Sequence, residues 1–315
     1  MRALLIVNPH ATSTTQLRRD VIASALASAV ELEVVETRYR GHATSLASAA
    51  MSRGYELMIT LGGDGTVNEA INGIMTATEE CTGLEAAARR PALAALPGGN
   101  ANVFTRALGL PPDPVDAAGT VLQALAEHRE RAIGLGLAGR RYFAFNAGLG
   151  LDAEVVRAVE GRRAHGGGVT PALYMRMALR QYYRITDRHR AALTLERDGM
   201  PAQDGLFLGF VSNTSPWTYL GKRPVQTNPQ AGFDSGLDLF AMRSLGTVAA
   251  IRALRQMLAS SGRQPRGASI FTLHDQPSLT LSADRPVALQ VDGEYVGEQE
   301  KVCFRSVPKA LRVIA

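Results

Sequence analysis

The segment that most constrains this chain is an apolar run, Leu57 to Leu61, that enters Gly62-Gly63-Asp64-Gly65-Thr66 and continues into helix-forming sequence. A buried strand, a glycine-rich turn and a helix in succession form the basic unit of a parallel α/β layer. The same order recurs around it. Residues 3–7 and 32–35 read as strands, 14–30 and 44–53 as helices, and 67–75 as the helix after the turn. Residues 92–96 form a fourth strand, which ends in Pro97-Gly98-Gly99-Asn100 ahead of a helix through Leu108, and residues 115–127 form another helix. In such a layer ligands bind beyond the carboxyl ends of the strands. The loops at 8–13, 62–66 and 97–100 are therefore expected to converge.

After about residue 131 the texture changes to short strand-like runs at 142–147, 191–195, 206–212, 237–242, 278–281 and 287–291. Regular short strands between turn residues predict an antiparallel sandwich. Helices are expected near 171–186 and 246–260, and the Gly- and Arg-rich stretch 161–168 reads as a mobile loop. The fold class is thus an α/β nucleotide-binding domain with a parallel sheet plus a β-rich antiparallel domain. The boundaries are placed at 1–131 with a returning segment 302–315, and at 132–301.

The chemistry of Gly62–Thr66 points to phosphate. Glycines let the backbone approach an anion, and the following helix N-terminus offers free N–H groups. Asp64 cannot favour phosphate by charge, so it is expected to hold a cation or order water beside one. Thr66 is expected to donate a hydroxyl hydrogen bond and cap the helix. No lysine follows the glycines, so the turn is not a P-loop of the G-x-x-x-x-G-K-[ST] kind, and it is not a G-x-G-x-x-G dinucleotide turn.

With 46% apolar residues among 315, the chain can build sizeable cores. No apolar run reaches the ~20 residues of a membrane span, and no signal-peptide pattern follows Met1, so a cytoplasmic protein is expected. Two cysteines and six histidines show no metal spacing. The net charge of +5 rests on arginine, lysine occurring only at 222, 301 and 309. Such a balance suits anionic partners, and no nucleic-acid-binding motif is present. Arg176, Arg180, Arg184 and Arg188 recur every four residues, which on a helix gives a stripe that would meet an anionic bilayer; a solvated basic face is the alternative. Trp217 and Tyr219 are read as lining a lipid cleft or as packing residues.

Taken together, the segments resemble the diacylglycerol kinase and sphingosine kinase superfamily, in particular its soluble bacterial diacylglycerol kinase branch. The resemblance rests on Asn8-Pro9, Thr37 with Gly41, Gly62–Asn68, PGGNANVFTR at 97–106, NAGLGLDA at 146–153, NPQAGFDSGLD at 228–238 and Asp292-Gly293-Glu294. It implies an ATP- and Mg2+-dependent kinase acting on a lipid hydroxyl, most simply diacylglycerol, at an anionic membrane surface. The protein would be peripherally associated with that surface, and a homodimer is compatible with the reading. ATP would lie across Asn8, Pro9, Thr12, Thr37, Gly62, Gly63, Asp64, Gly65, Thr66, Val67, Asn68 and Asn100. Asp64 would organise metal and phosphate, and Asp292 or Glu294 would take the hydroxyl proton.

A structural magnesium is implied at the backbone of Gly232 and Leu237 with Asp234 or Ser235. Three departures bear on this pattern: Asn100 replaces a threonine, Val103 an aspartate, and Ser235 the second aspartate of the metal motif. Rival readings are an NAD kinase, which shares the glycine-rich pentapeptide, a sphingoid, ceramide or glycolipid kinase, and a non-catalytic nucleotide- or lipid-sensing module.

Overall fold

The computed structural model describes residues 1–12, 14–80, 90–164, 176–178, 180–182 and 190–315. The chain divides into two compact units, Met1–Ile133 with Lys309–Ala315, and Gly134–Pro308.

The first unit is a parallel sheet in the order β2-β1-β3-β4, built from β1 (Arg2–Val7), β2 (Glu31–Glu36), β3 (Leu57–Gly62) and β4 (Ala92–Pro97). The C-terminal end of β16 (Glu294–Val313) adds a further parallel strand, with Val313 opposite Leu93. β3 and β4 are buried along their whole length, as their unbroken apolar runs require in a sheet covered on both faces. Helices α1 (Gln16–Ala27), α2 (His42–Ser52), α3 (Asp64–Glu80), α4 (Val103–Ala107) and α5 (Pro114–Ala126) alternate with the strands. Ile22 and Leu26 of α1 and Ala117, Val121 and Ala124 of α5 pack with Leu5, Ile59 and Leu96 of the sheet. Local chemistry sets the helix starts. Thr15 caps α1 by accepting from Arg18 N, and Asp113 caps α5 ahead of Pro114.

The second unit is antiparallel. Its sheet runs β14-β13-β10-β7-β15-β16, using β7 (Asn146–Leu149), β10 (Leu208–Ser212), β13 (Leu237–Met242), β14 (Ile270–Gln276) and β15 (Ser278–Val291). β5 (Arg131–Ala138) pairs with β6 (Arg141–Phe143), and β8 (Leu193–Arg197) with β9 (Met200–Leu206) and β15. β11 (Thr218–Leu220) and β12 (Arg223–Val225) form a separate hairpin. Helices α6 (Leu151–Ala164) and α7 (Thr247–Met257) belong to this unit.

Several expectations change here. The runs at 278–281 and 287–291 are one strand, β15, whose register against β16 shifts between Ser282 and Val287. The run at 142–147 is two strands, β6 and β7. Residues 161–164 close α6 rather than opening a loop, while 165–168 lie outside the described residues. Of the helix expected at 171–186, residues 176–178 and 180–182 are helical; Arg184 and Arg188 lie outside the described residues. No helix among the described residues is long and apolar enough to cross a membrane.

Candidate active site

In the first unit the loops after β1, β3 and β4 meet. Asn8 Nδ2 donates to Thr66 Oγ1 at 3.2 Å, and Thr12 Oγ1 donates to Asn100 Oδ1 at 3.0 Å. Thr37 stands at the end of β2, its N–H on Val7 O at 2.8 Å. Gly98 N donates to Gly62 O at 2.8 Å. The residues expected to surround a nucleotide, Asn8, Thr12, Thr37, Gly62 to Asn68 and Asn100, therefore share the carboxyl end of one parallel sheet.

The glycines have a reason beyond phosphate. A β-carbon on Gly98 would lie 2.9 Å from Gly62 Cα, and one on Gly99 would lie 2.8 Å from Gly63 Cα. One on Gly62 would sit 2.6 Å from Thr66 Oγ1. The two turns are stacked backbone on backbone, a separation that only glycine permits. Asn102 closes the second turn in the left-handed conformation, accepting from Gly99 N at 2.8 Å and donating to Gly99 O at 2.7 Å.

Asp64 is engaged by backbone amides. Its two carboxylate oxygens accept from Val103 N and Phe104 N, both at 3.1 Å, at the start of α4. Burial pushes its carboxyl up from the ordinary value, against the pull of the amides of Val103, Phe104 and Asn102 and the charge of Arg106. Asp64 thus ties the first turn of α3 to the N-terminus of α4. Glu69, one and a half turns on, does the same for α2. Its carboxylate accepts from Gly41 N at 2.8 Å and Ala43 N at 3.1 Å. Thr66 lies inside α3 and receives a hydrogen bond from Asn8 instead of capping the helix. Neither Glu69 nor Asn102 was given a role from sequence; a carboxylate or asparagine beside a glycine-rich turn was the available signal.

In the second unit Asp292 and Gly293 are the turn between β15 and β16, with Val291 opposite Glu294. Both turn residues have positive φ, 47° and 78°, as a two-residue hairpin turn that matches strand twist demands. The two acids therefore do not share a strand face. Asp292 is 3% exposed and accepts from Ala144 N at 2.7 Å, Phe145 N at 3.0 Å and Asn146 N at 3.1 Å. A carboxylate held by three backbone amides is an anchor for the β6–β7 segment. The Glu294 carboxylate is 2.6 Å from Arg141 Nη2, with about a fifth of its side chain exposed (19%). Arg141 was not singled out from sequence, because nothing local marks it as the partner of a residue 153 positions away.

Near this hairpin Asn146 links two groups, donating to Trp217 O at 2.7 Å and accepting from Gln290 Nε2 at 2.9 Å. Trp217 packs on Phe210 with ring centroids 4.9 Å apart. Asp152, in α6, is buried, and its Oδ2 has no hydrogen-bond partner among the described residues. Burial pushes its carboxyl up to about 7, opposed by a hydrogen bond from Gln290.

The residues expected to hold a structural magnesium do not fit one. The Gly232 carbonyl receives both Ser235 N at 3.1 Å and Ser235 Oγ at 3.0 Å. Ser235 Oγ also reaches Gly236 O at 3.3 Å, and Leu237 is already part of β13. The buried Asp238 carboxylate is taken by His274 Nδ1 at 2.8 Å and Asp275 N at 3.0 Å. Magnesium needs near-octahedral oxygen ligands at about 2.1 Å, whereas this loop closes on itself through a serine. No cluster of three metal-ligating side chains occurs among the described residues.

Comparison with known proteins agrees with this geometry. Residues 2–137 match the sequence model of the diacylglycerol kinase catalytic domain. A diacylglycerol kinase of Staphylococcus carnosus is 26% identical over 301 residues, covering 94% of this chain and 90% of the relative. One from Staphylococcus aureus strain JH9 is 27% identical over 301 residues, covering 94% and 87%. Among solved structures, a putative diacylglycerol kinase from Bacillus anthracis superposes with a TM-score of 0.75 at 23% identity, covering 99% of this chain and 96% of that one. An NAD kinase from Archaeoglobus fulgidus, in complex with ATP, has a TM-score of 0.52 at 11% identity, covering 100% and 94%. The shared fold explains why the glycine-rich pentapeptide alone left both readings open. The chain resembles diacylglycerol kinases along most of its length, with the match to the catalytic-domain model lying in residues 2–137.

Proposed function

We propose that the protein transfers the γ-phosphate of ATP to the hydroxyl of diacylglycerol, giving phosphatidic acid. The observation that carries the nucleotide half is the stacking of the Gly62–Gly63 and Gly98–Gly99 turns at the carboxyl end of the parallel sheet. Bare backbone, the Asn8, Thr12, Thr37 and Asn100 side chains and the start of α3 supply donors for a polyphosphate there. Asp64 and Glu69 act indirectly, fixing α4 and α2 around that surface. Magnesium enters as the Mg2+–ATP substrate, neutralising phosphate charge.

For the acceptor, Glu294 is the proposed general base. A lipid alcohol is not ionised near neutral pH, so a placed carboxylate that accepts its proton as the phosphoryl group arrives lowers the barrier. Arg141 orients that carboxylate. The enzyme would work as a peripheral protein on the cytoplasmic face of an anionic membrane. Diacylglycerol is favoured over a sphingoid base, ceramide or NAD by the names of the relatives that span most of the chain.

The assay is transfer of label from γ-labelled ATP to diacylglycerol, sphingosine, ceramide and NAD offered in parallel with Mg2+. Labelled phosphatidic acid is the expected product. Label on NAD alone, or ATP binding with no transfer to any lipid, rejects the proposal.

A further inference from the structure

Helix α7 (Thr247–Met257) is amphipathic in an unusual sense: one face is buried and much of the opposite face is apolar as well. Ala253 and Met257 pack into a cluster with Phe240, Met242 and Leu245. On the other side Val248, Ile251 and Leu254 follow at intervals of three, exposed by 67%, 53% and 42%. Residues three and four apart adjoin on a helix surface, so these three form one stripe. Arg252 and Arg255 are exposed beside it, and neither has an acidic partner among the described residues. The surroundings are basic too. Between Asp238 and Asp275 the chain holds five arginines and no aspartate or glutamate. Arg266 is held against α7 by the paired hydrogen bonds of its backbone with Gln256, and Arg223 by bonds to Leu258 O at the end of the helix.

We infer that this face of α7 docks on an anionic lipid bilayer, its three aliphatic side chains entering the headgroup boundary and its arginines meeting lipid phosphates. Charge chooses the partner: a stripe with Arg252 and Arg255 beside it complements a negatively charged surface. The stems of Arg252 and Arg255 can lie along the apolar layer while their guanidinium groups stay in the headgroups. Size argues against a second copy of the chain or another protein. Three aliphatic side chains on an 11-residue helix fall short of the roughly 1,000 Å² that a stable protein interface buries. A bilayer asks only for shallow insertion. The inference deepens the lipid-kinase reading and rests on it for the biological need, since a diacylglycerol acceptor resides in the membrane.

The test is sedimentation of the full chain with vesicles of phosphatidylcholine alone and of phosphatidylcholine with phosphatidylglycerol. Wild type is expected to bind the anionic vesicles and to release as salt is raised. Replacing Val248, Ile251 and Leu254 by serine should weaken binding by roughly tenfold or more. The separate pair Arg252→Gln and Arg255→Gln should weaken it by roughly fivefold per charge, and only on anionic vesicles. All five positions are exposed, and circular dichroism together with phosphorylation of a water-soluble short-chain diacylglycerol should be unchanged. Vesicle binding equal to wild type in both variants overturns the inference, as does a wild type that ignores anionic vesicles. Unchanged vesicle binding combined with loss of a dimer on size exclusion in the serine variant would assign the face to self-association and likewise overturn it. Absence of transfer to any lipid, with vesicle binding still lost in the variants, would reject the proposed reaction while leaving the docking face intact.

Discussion

Gly98 stands directly on Gly62: a β-carbon at Gly98 would come within 2.9 Å of Gly62 Cα, 3.0 Å of its N and 3.1 Å of its carbonyl carbon. Two glycine-rich turns from neighbouring parallel strands are thereby fused into one surface, and the hydrogen bond from Gly98 N to Gly62 O holds them in register.

Gly98→Ala should separate the turns, because the contact is backbone and cannot swing away. The expected cost is about 1–3 kcal/mol of stability, with weakened binding of an ATP analogue. Gly119→Ala in α5 is the control, since nothing among the described residues lies within 4 Å of its β-position; it should stabilise the fold by up to about 1 kcal/mol. Thermal melts with and without the analogue check both. Equal behaviour of the two variants would remove the stacking argument.

Asp292 and Glu294 should part company on mutation. Asp292→Asn places an amide group against three backbone donors and should destabilise the protein by about 2–4 kcal/mol. Glu294→Gln should leave the melting temperature nearly unchanged and lower kcat by roughly 10²–10⁴-fold. Denaturant titration and steady-state kinetics on both variants are the measurements. A stable, inactive Asp292 variant beside an active Glu294 variant would exchange the roles.

Asp152 should impose a pH dependence on stability. Its folded-state carboxyl is raised from 3.8 to about 7 by burial. Between those values the folded protein binds a proton that the unfolded chain has released. The stabilisation is therefore fully present below about pH 4 and is lost as pH rises through about 7. Asp152→Asn should flatten that slope, gaining on the order of a few kcal/mol relative to wild type at pH 8 and little at pH 4. Melts across pH 4–8 would show it; parallel curves would mean that Asp152 is solvated.

Ser235 should decide whether the 232–238 loop needs a cation. Because its hydroxyl already engages the Gly232 and Gly236 carbonyls, Mg2+ without nucleotide should not raise the melting temperature of the wild type. Ser235→Asp supplies the missing carboxylate and should introduce a Mg2+-dependent rise of a few degrees. A comparable rise in the wild type would restore the structural metal.

The sequence by itself determined the parallel layer and the position of its ligand end. Uninterrupted apolar runs at β3 and β4, each ending in glycines, have few other solutions than buried strands feeding turns. It determined less in the second unit. There β9, β14 and β16 are partly exposed strands without a clean period, and α6 mixes charges around its circumference. What only the tertiary structure decided is the job of each polar side chain. Asp64 lies in the expected turn, yet its carboxylate serves two amides some 40 residues away. Asp292 and Glu294 are two residues apart, yet one is buried in a ring of amides and the other pairs with Arg141. A buried carboxylate must find donors to offset its lost hydration, and which donors come within reach is a property of packing rather than of sequence neighbourhood.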